Sequence, residues 1–303
     1  MLDKFLRDLV HGEFSVGKTT FANLDVLLTV CITGVAVLIR ESIFGVSGNP
    51  GISGGMQMMA YCVLDFVLAL LMAFFVWKIS ENRLKVVGIY SLAVIWPAIA
   101  GNSALNGGME VVFAAILLLF LCILGLKKMY NTKTFWIFTV LVCAFQIVQG
   151  DGAGERLTNV WPNIYTLFSE TGFLVEYGVT GKLLVLGILL MIFYYVSKKK
   201  FSVTPELFVA AGLFFSLFIS AFYPFMNYRS GLLANVFALL AFIQNKKKFY
   251  VPMAMCIISY VSYGFFYNKE IGVYFWVYAL GLVVLMLDAG VEFYKQLQTG
   301  KEA

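Results

Sequence analysis

Ten stretches of apolar residues, most of them nearly as long as a bilayer is thick, leave this chain few ways to fold. They fall at 24–39, 58–78, 86–101, 109–126, 134–149, 182–197, 206–225, 231–245, 249–267 and 272–289. A helix needs about 20 apolar residues to cross the hydrocarbon layer. The shorter runs here call for tilt or re-entry. Only 13% of the side chains are charged and 61% are hydrophobic, whereas a soluble domain carries about 25% charged residues. The reading is an all-α, polytopic integral membrane protein of about ten transmembrane helices, forming a single domain over residues 1–303. Its expected location is a cell membrane, crossed many times.

Orientation follows from the basic residues. With the N-terminus inside and the loops numbered alternately, 17 of the 22 Lys and Arg fall on the inner side, including the runs 127–128, 198–200 and 246–248. The outer side receives Arg40, Arg156, Lys182, Arg229 and Lys269. This obeys the positive-inside rule and expects an even number of spans with both termini cytoplasmic. The net charge of +5 is thereby explained as topology, and no nucleic-acid partner is expected. Residues 1–20 read as a juxtamembrane amphipathic segment, with Leu2, Phe5, Leu6, Leu9, Val10 and Phe14 interleaved with Lys4, Arg7 and Asp8.

Two places concentrate chemistry. Asn227-Tyr228-Arg229-Ser230 is a polar hinge between two apolar runs, and a guanidinium near hydrocarbon is costly without a partner. The other is the outer loop 150–181, which is Gly-rich and holds the aromatic residues Trp161, Tyr165 and Phe168. Its aromatic content argues for a loop folded against the outer face.

Other features have plainer explanations. Gly12-Glu-Phe-Ser-Val-Gly17-Lys18-Thr19 matches the letters of a phosphate-binding loop, but that mechanism needs a strand leading in and a helix N-terminus receiving the phosphate. Neither is expected here. His11 is the only histidine, so a histidine-based triad or multi-histidine metal site is unavailable. The five cysteines lie inside the apolar runs without metal spacing and read as small fillers. Asp65 sits inside the second span, where an acid is either a functional group or a helix staple. Glu110 stands at a helix start, where the dipole favours a carboxylate. It reads as a cap, or as a carboxylate facing an outer cavity. No cofactor or metal is expected.

Four segments in order resemble the GT-C membrane glycosyltransferases, in particular bacterial mannosyltransferase-like proteins akin to the GPI mannosyltransferase 2 family. They are LIRESIFGVSGNPG, WPAIAGNSALNGGMEVVFAA, LTNVWPNIYTLF and YPFMNYRSGLLANVFALL, spanning roughly residues 39–241. The resemblance implies a GT-C-like fold and an outward-facing site for a polyprenyl-phosphate sugar. It assigns Arg229, Asn227, Tyr228, Trp161, Asn163, Tyr165 and Asn49 to substrate binding. Arg229 suits a lipid phosphate through its planar fork, and Trp161 and Tyr165 are placed to stack on sugar faces or to sit in the headgroup belt.

The departures from the family pattern bear on catalysis. The first-loop aspartate of the family becomes Asn49, the His-Glu pair becomes Asn227-Tyr228, and a later aspartate becomes Asn235. A general base must titrate, and amides do not. The resemblance therefore implies a catalytically degenerate member acting as a partner or scaffold in cell-surface glycan assembly. An active transferase with Glu110 or Glu41 as base is the alternative. A lipid-linked sugar transporter or flippase is a third reading, which expects discontinuous helices and polar groups at the midplane.

Overall fold

The backbone organises around helices that start and stop where local chemistry allows. The computed structural model describes residues 8, 11–16, 19–44, 55–79, 108–150, 158–159, 161–167, 178–227, 230–268 and 275–299. Contacts divide the chain into two units, residues 1–99 with 103–130, and residues 100–102 with 131–303.

The first unit opens with an antiparallel hairpin of β1 (Glu13–Val16) and β2 (Thr19–Ala22). Its strands are rich in Thr, Phe and Val, which suit a pleated backbone. The Asn23 N–H donates to the Gly12 carbonyl at 2.9 Å, tying the hairpin to α1 (Asn23–Phe44). Within the juxtamembrane segment, residues 13–16 and 19–22 are thus paired strands, while Asp8 and His11 are helical and residues 1–7 lie outside the described residues. The phosphate-loop letters accordingly include parts of two paired strands, and Thr19 opens a strand rather than a helix. Helices α2 (Gly55–Ile79) and α3 (Gly108–Lys127) are the other described elements of this unit, α2 packing on both α1 and α3. Phe75 and Val76 of α2 and Leu117 and Leu121 of α3 are buried, and the Cys122 thiol of α3 donates to the Leu71 carbonyl of α2 at 3.1 Å. Cys122 is thus a packed filler.

The second unit contains α4 (Thr132–Gly150), β3 (Thr158–Asn159), a 3-10 turn (Ile164–Leu167), α5 (Gly178–Ser197), α6 (Pro205–Phe222), β4 (Met226–Asn227), α7 (Leu232–Gln244), a 3-10 turn (Lys246–Lys248), α8 (Tyr250–Asn268) and α9 (Phe275–Thr299). Caps explain two of the starts. Asn131 Oδ1 accepts from the Thr134 N–H at 3.0 Å while Thr134 Oγ1 accepts from the Asn131 N–H at 3.2 Å, a reciprocal box opening α4. Thr204 Oγ1 accepts from the Leu207 N–H, Pro205 occupies the first turn, and Glu206 meets the positive helix end.

Helix α6 is apolar all round, so it belongs in the middle of its unit. It packs against α4, α7 and α9. Aromatic rings lock this core. Phe138 lies edge-on to Phe208 at 5.2 Å and to Phe237 at 5.8 Å, and Phe214 stacks on Phe293 at 5.5 Å. A Cβ on Gly212 would meet the Phe237 ring at 2.5 Å, so α6 and α7 approach closely only because that side chain is missing.

Among the described residues, three helices are long and apolar enough to cross a membrane: Gly178–Ser197, Pro205–Phe222 and Phe275–Gln298. Their surroundings differ. On α5, Leu183, Leu190 and Met191 are 65%, 67% and 71% exposed, a surface suited to hydrocarbon rather than water. The protein is mostly helical, but its described residues also hold four short strands, which an all-α reading omits. The expected span 86–101 lies outside the described residues. Helices α1 and α2 run further than the apolar runs that announced them. Arg40 and Glu41 fall within α1, and residues 42–44 and 55–57 of the loop expected at 42–57 are helical. Backbone hydrogen bonds propagate a helix past its last apolar side chain.

Candidate functional site

The hinge after α6 is built before any side chain is considered. Tyr223 caps α6 by donating its N–H to the Ile219 carbonyl at 2.8 Å. Phe225 then adopts a left-handed backbone at φ 64, a conformation costly for a bulky residue unless its surroundings hold it. Beyond β4, the Ser230 N–H donates to the Asn227 carbonyl at 3.0 Å, and Ser230 Oγ accepts from the Asn227 N–H at 3.2 Å. The chain is thereby turned into α7.

The described part of loop 150–181, residues 158–159 and 161–167, packs on this hinge through backbone and side chain together. β3 pairs in parallel with β4, Thr158 opposite Met226 and Asn159 opposite Asn227. Trp161 and Asn163 are both fully buried. The Trp161 indole N–H donates to the Ser220 carbonyl at 3.2 Å, and the Asn163 amide donates to the Tyr223 carbonyl at 3.4 Å. Asn163 Oδ1 also accepts from the Tyr165 N–H at 3.1 Å, and its carbonyl accepts from the Thr166 N–H and hydroxyl. This is an Asx turn, which fixes the loop locally before it touches anything else. The following 3-10 turn packs on α9 and α6.

Below the hinge lies a buried polar knot that the sequence did not announce. The Gln146 side-chain amide, from α4, donates to Ser220 Oγ at 2.8 Å and to the Ser230 carbonyl at 2.6 Å. Ser220 Oγ itself reaches the Ser230 carbonyl at 3.3 Å. Gln146 Oε1 has no hydrogen-bond partner. One amide thus ties α4, α6 and the hinge together. The signal in the sequence was a lone Gln inside an apolar run, which hydropathy averages away.

Lys182 is the second residue that sequence reasoning passed over, although it was counted among the five outer basic residues. It sits at the start of α5 with its Nζ 5.2 Å from the Phe225 ring centroid and 5.8 Å from that of Tyr223. The Tyr165 hydroxyl lies over Gly181, where a Cβ would collide with it. Burial raises the Tyr165 pKa above 10, so its phenol stays protonated and can donate. Lys182, Tyr165, Tyr223 and Phe225 therefore form a cation–aromatic rim beside the hinge.

Of the expected binding residues, the structure brings Trp161, Asn163, Tyr165 and Asn227 together. Tyr228 and Arg229, between Asn227 and Ser230 in the chain, lie outside the described residues, as does Asn49. Glu110 falls in the first turn of α3, as a helix-start carboxylate should, and Glu41 near the end of α1. Both belong to the first unit, and their side chains and that of Asp65 lie outside the description. Asn235, at a position where the resemblance expects an aspartate, is buried and donates to Ser259 Oγ at 2.9 Å, joining α7 to α8. The described core of the site can accept, donate and stack. Its buried members are amides, hydroxyls, an indole and the Tyr223 phenol, with no carboxylate or imidazole among the described ones. Comparison with protein-family models, curated proteins and solved structures finds no match to this chain.

Proposed function

We propose that this chain is a GT-C-like membrane protein that binds a polyprenyl-phosphate lipid on its outer face and serves glycan assembly as a non-catalytic partner. The observation that carries the reading is the docking of loop 158–167 onto the hinge at 226–230. Two segments that the resemblance assigns to one pocket, far apart in the chain, share a strand pairing and buried hydrogen bonds. Chemistry supports binding over turnover. The described groups at the junction are hydrogen-bonding and aromatic, and Lys182 supplies a cation beside them. Arg229 is assigned the lipid phosphate, because its fork matches two phosphate oxygens where Lys offers only a point charge.

The test is equilibrium binding of polyprenyl phosphate to the purified full chain in detergent. Arg229→Ala is expected to weaken binding at least tenfold, with Arg229→Lys intermediate. Equal affinity in all three proteins removes the proposed role. An active transferase is the second reading, favoured by the helix-start position of Glu110. It requires that membranes supplied with a lipid-phosphate sugar show transfer that Glu110→Gln abolishes. No transfer by the wild type leaves the binding reading in place.

A further inference from the structure

A cavity of about 150 Å³ lies between the start of α6, the end of α7 and the C-terminal half of α9. Its lining is divided by chemistry. Val209 and Leu213 of α6, Ala241 of α7 and Ala289 of α9 make an apolar wall. Glu206, Asp288 and Glu292 set three carboxylates against one ammonium, that of Lys248. That ammonium is already committed. It holds both oxygens of Asp288, which also accepts from the Tyr250 hydroxyl, and it lies 3.9 Å from Glu292. Glu292 in turn accepts from the Gln296 amide at 3.2 Å. Glu206 is half-buried, and its carboxylate has neither an ion pair nor a hydrogen bond among the described residues. Gln244 is the second unmet group. Its Nε2 is buried with no hydrogen-bond partner, and an amide N–H kept from water without an acceptor is costly. The cavity therefore lacks a cation at Glu206 and an oxygen acceptor at Gln244.

We infer that this cavity binds a small amino alcohol, its ammonium on Glu206 and its hydroxyl oxygen on Gln244 Nε2. Each simpler occupant leaves one group unmet. Water answers Gln244 but brings no positive charge to Glu206. A carboxylate or phosphate also answers Gln244, and Glu206 repels it. A plain alkylamine answers Glu206 and leaves the buried amide without an acceptor. Volume bounds the size: a cavity of about 150 Å³ holds one benzene, so the ligand has at most about six non-hydrogen atoms. Its carbons then lie along Val209 and Leu213. The same ammonium-and-oxygen chemistry heads some phospholipids, but their phosphate exceeds that volume and brings negative charge towards Glu206. The free compound is the assigned source. The cavity uses no residue of the hinge, and the inference does not depend on the role proposed for Arg229.

The probe is radiolabelled ethanolamine, dialysed to equilibrium against the purified full chain in neutral detergent at pH 7. Wild type is expected to bind it saturably and more tightly than ethylamine, with acetate and ethanol failing to compete. Glu206→Gln is expected to weaken binding of both amines at least about tenfold, the worth of one hydrogen bond to a charged group. Gln244→Leu is expected to weaken ethanolamine alone and to leave ethylamine as it is in wild type. Glu13→Gln removes the same charge from an exposed position on β1 and is expected to change neither. If Glu206→Gln does not fold, the ethanolamine preference and its loss in Gln244→Leu decide alone. Absence of saturable binding by wild type would mean a cavity filled by water, and equal affinities for the two amines would mean that Gln244 meets no ligand. Either result overturns the proposal, as does unchanged binding in Glu206→Gln. Lysophosphatidylethanolamine that competes and binds more tightly than ethanolamine would overturn the assignment to a free amino alcohol.

Discussion

The ring of Trp161 occupies the space that a side chain on Gly231 would need, so a loop residue and a helix cap 70 positions apart exclude one another's growth. The same Cβ would also come within 3.3 Å of Ser259 Oγ on α8. Gly231 is therefore kept small by packing rather than by backbone conformation, its φ being an ordinary −78.

Gly231→Ala is expected to destabilise the protein by about 1–3 kcal/mol, the usual cost of overpacking a core. The damage should concentrate on the loop, read as faster proteolysis between residues 150 and 178 and a lower Tm in detergent. Gly281→Ala, where a Cβ meets nothing within 4 Å, is the matched control. It is expected to be neutral or stabilising by up to about 1 kcal/mol, since alanine outranks glycine in helices.

Gln146 bridges three segments through one amide nitrogen. Gln146→Leu removes the amide donor to Ser220 Oγ and to the Ser230 carbonyl and leaves only the longer 3.3 Å bond between those two, at a cost of about 1–3 kcal/mol. Gln146→Glu is expected to be worse, because a carboxylate offers no donor to either oxygen unless it takes up a proton. Unfolding of the three proteins at pH 7 should follow the order wild type, Leu, Glu. A Glu variant as stable as wild type would refute the bridging role.

Placing an acid at position 235 is not expected to create catalysis. Asn235 donates to Ser259 from a buried position, and an aspartate there must either lose the donor or remain protonated. Asn235→Asp is expected to lower Tm and to show no sugar transfer in a membrane assay. Gain of transfer would mean that position 235 is catalytic rather than structural.

At the loop between α7 and α8, Lys248 Nζ lies 2.8 Å and 2.7 Å from the two Asp288 carboxylate oxygens and 3.9 Å from Glu292. Burial opposes the ammonium charge, but hydrogen bonds to Asp288 and Tyr250 outweigh it, and the Lys248 pKa is raised above 10.5. A raised folded-state pKa means stabilisation that is complete below the unfolded value of about 10.4 and is lost as pH climbs through the folded one. Wild type is thus expected to lose stability above about pH 10.5 more steeply than Lys248→Met, which should be less stable than wild type at pH 8. Parallel pH profiles for the two proteins would exclude the ion pair as a source of stability.

Periodic and local signals carried most of what could be read without coordinates. The apolar runs of 134–149, 206–225 and 249–267 correspond to α4, α6 and α8 within a few residues. That agreement reflects how directly a long apolar run specifies a buried helix. The aromatic loop was also legible, because Trp161 and Tyr165 are too costly to leave unpacked. Other features were not. The strand pair at 13–16 and 19–22 was hidden because the amphipathic spacing of residues 2–14 suits a helix that runs into it. Gln146 and Ser220 are single polar residues in apolar surroundings, and nothing local says that they meet.

What the amino-acid order determined by itself was the material: which stretches are apolar enough for a bilayer, where helices can be capped, and where aromatic and cationic groups are concentrated. Hydropathy and capping act within a few residues, so neighbours in the chain suffice to state them. Only the tertiary structure decided which of those groups share a site. The meeting of Trp161 with Ser220 and Gly231, the tie from Gln146 to Ser230, and the placing of Lys199 beside Tyr294 join residues 59 to 95 positions apart. Such pairs are set by which helix faces fill one another's space and by which buried donors must find an acceptor.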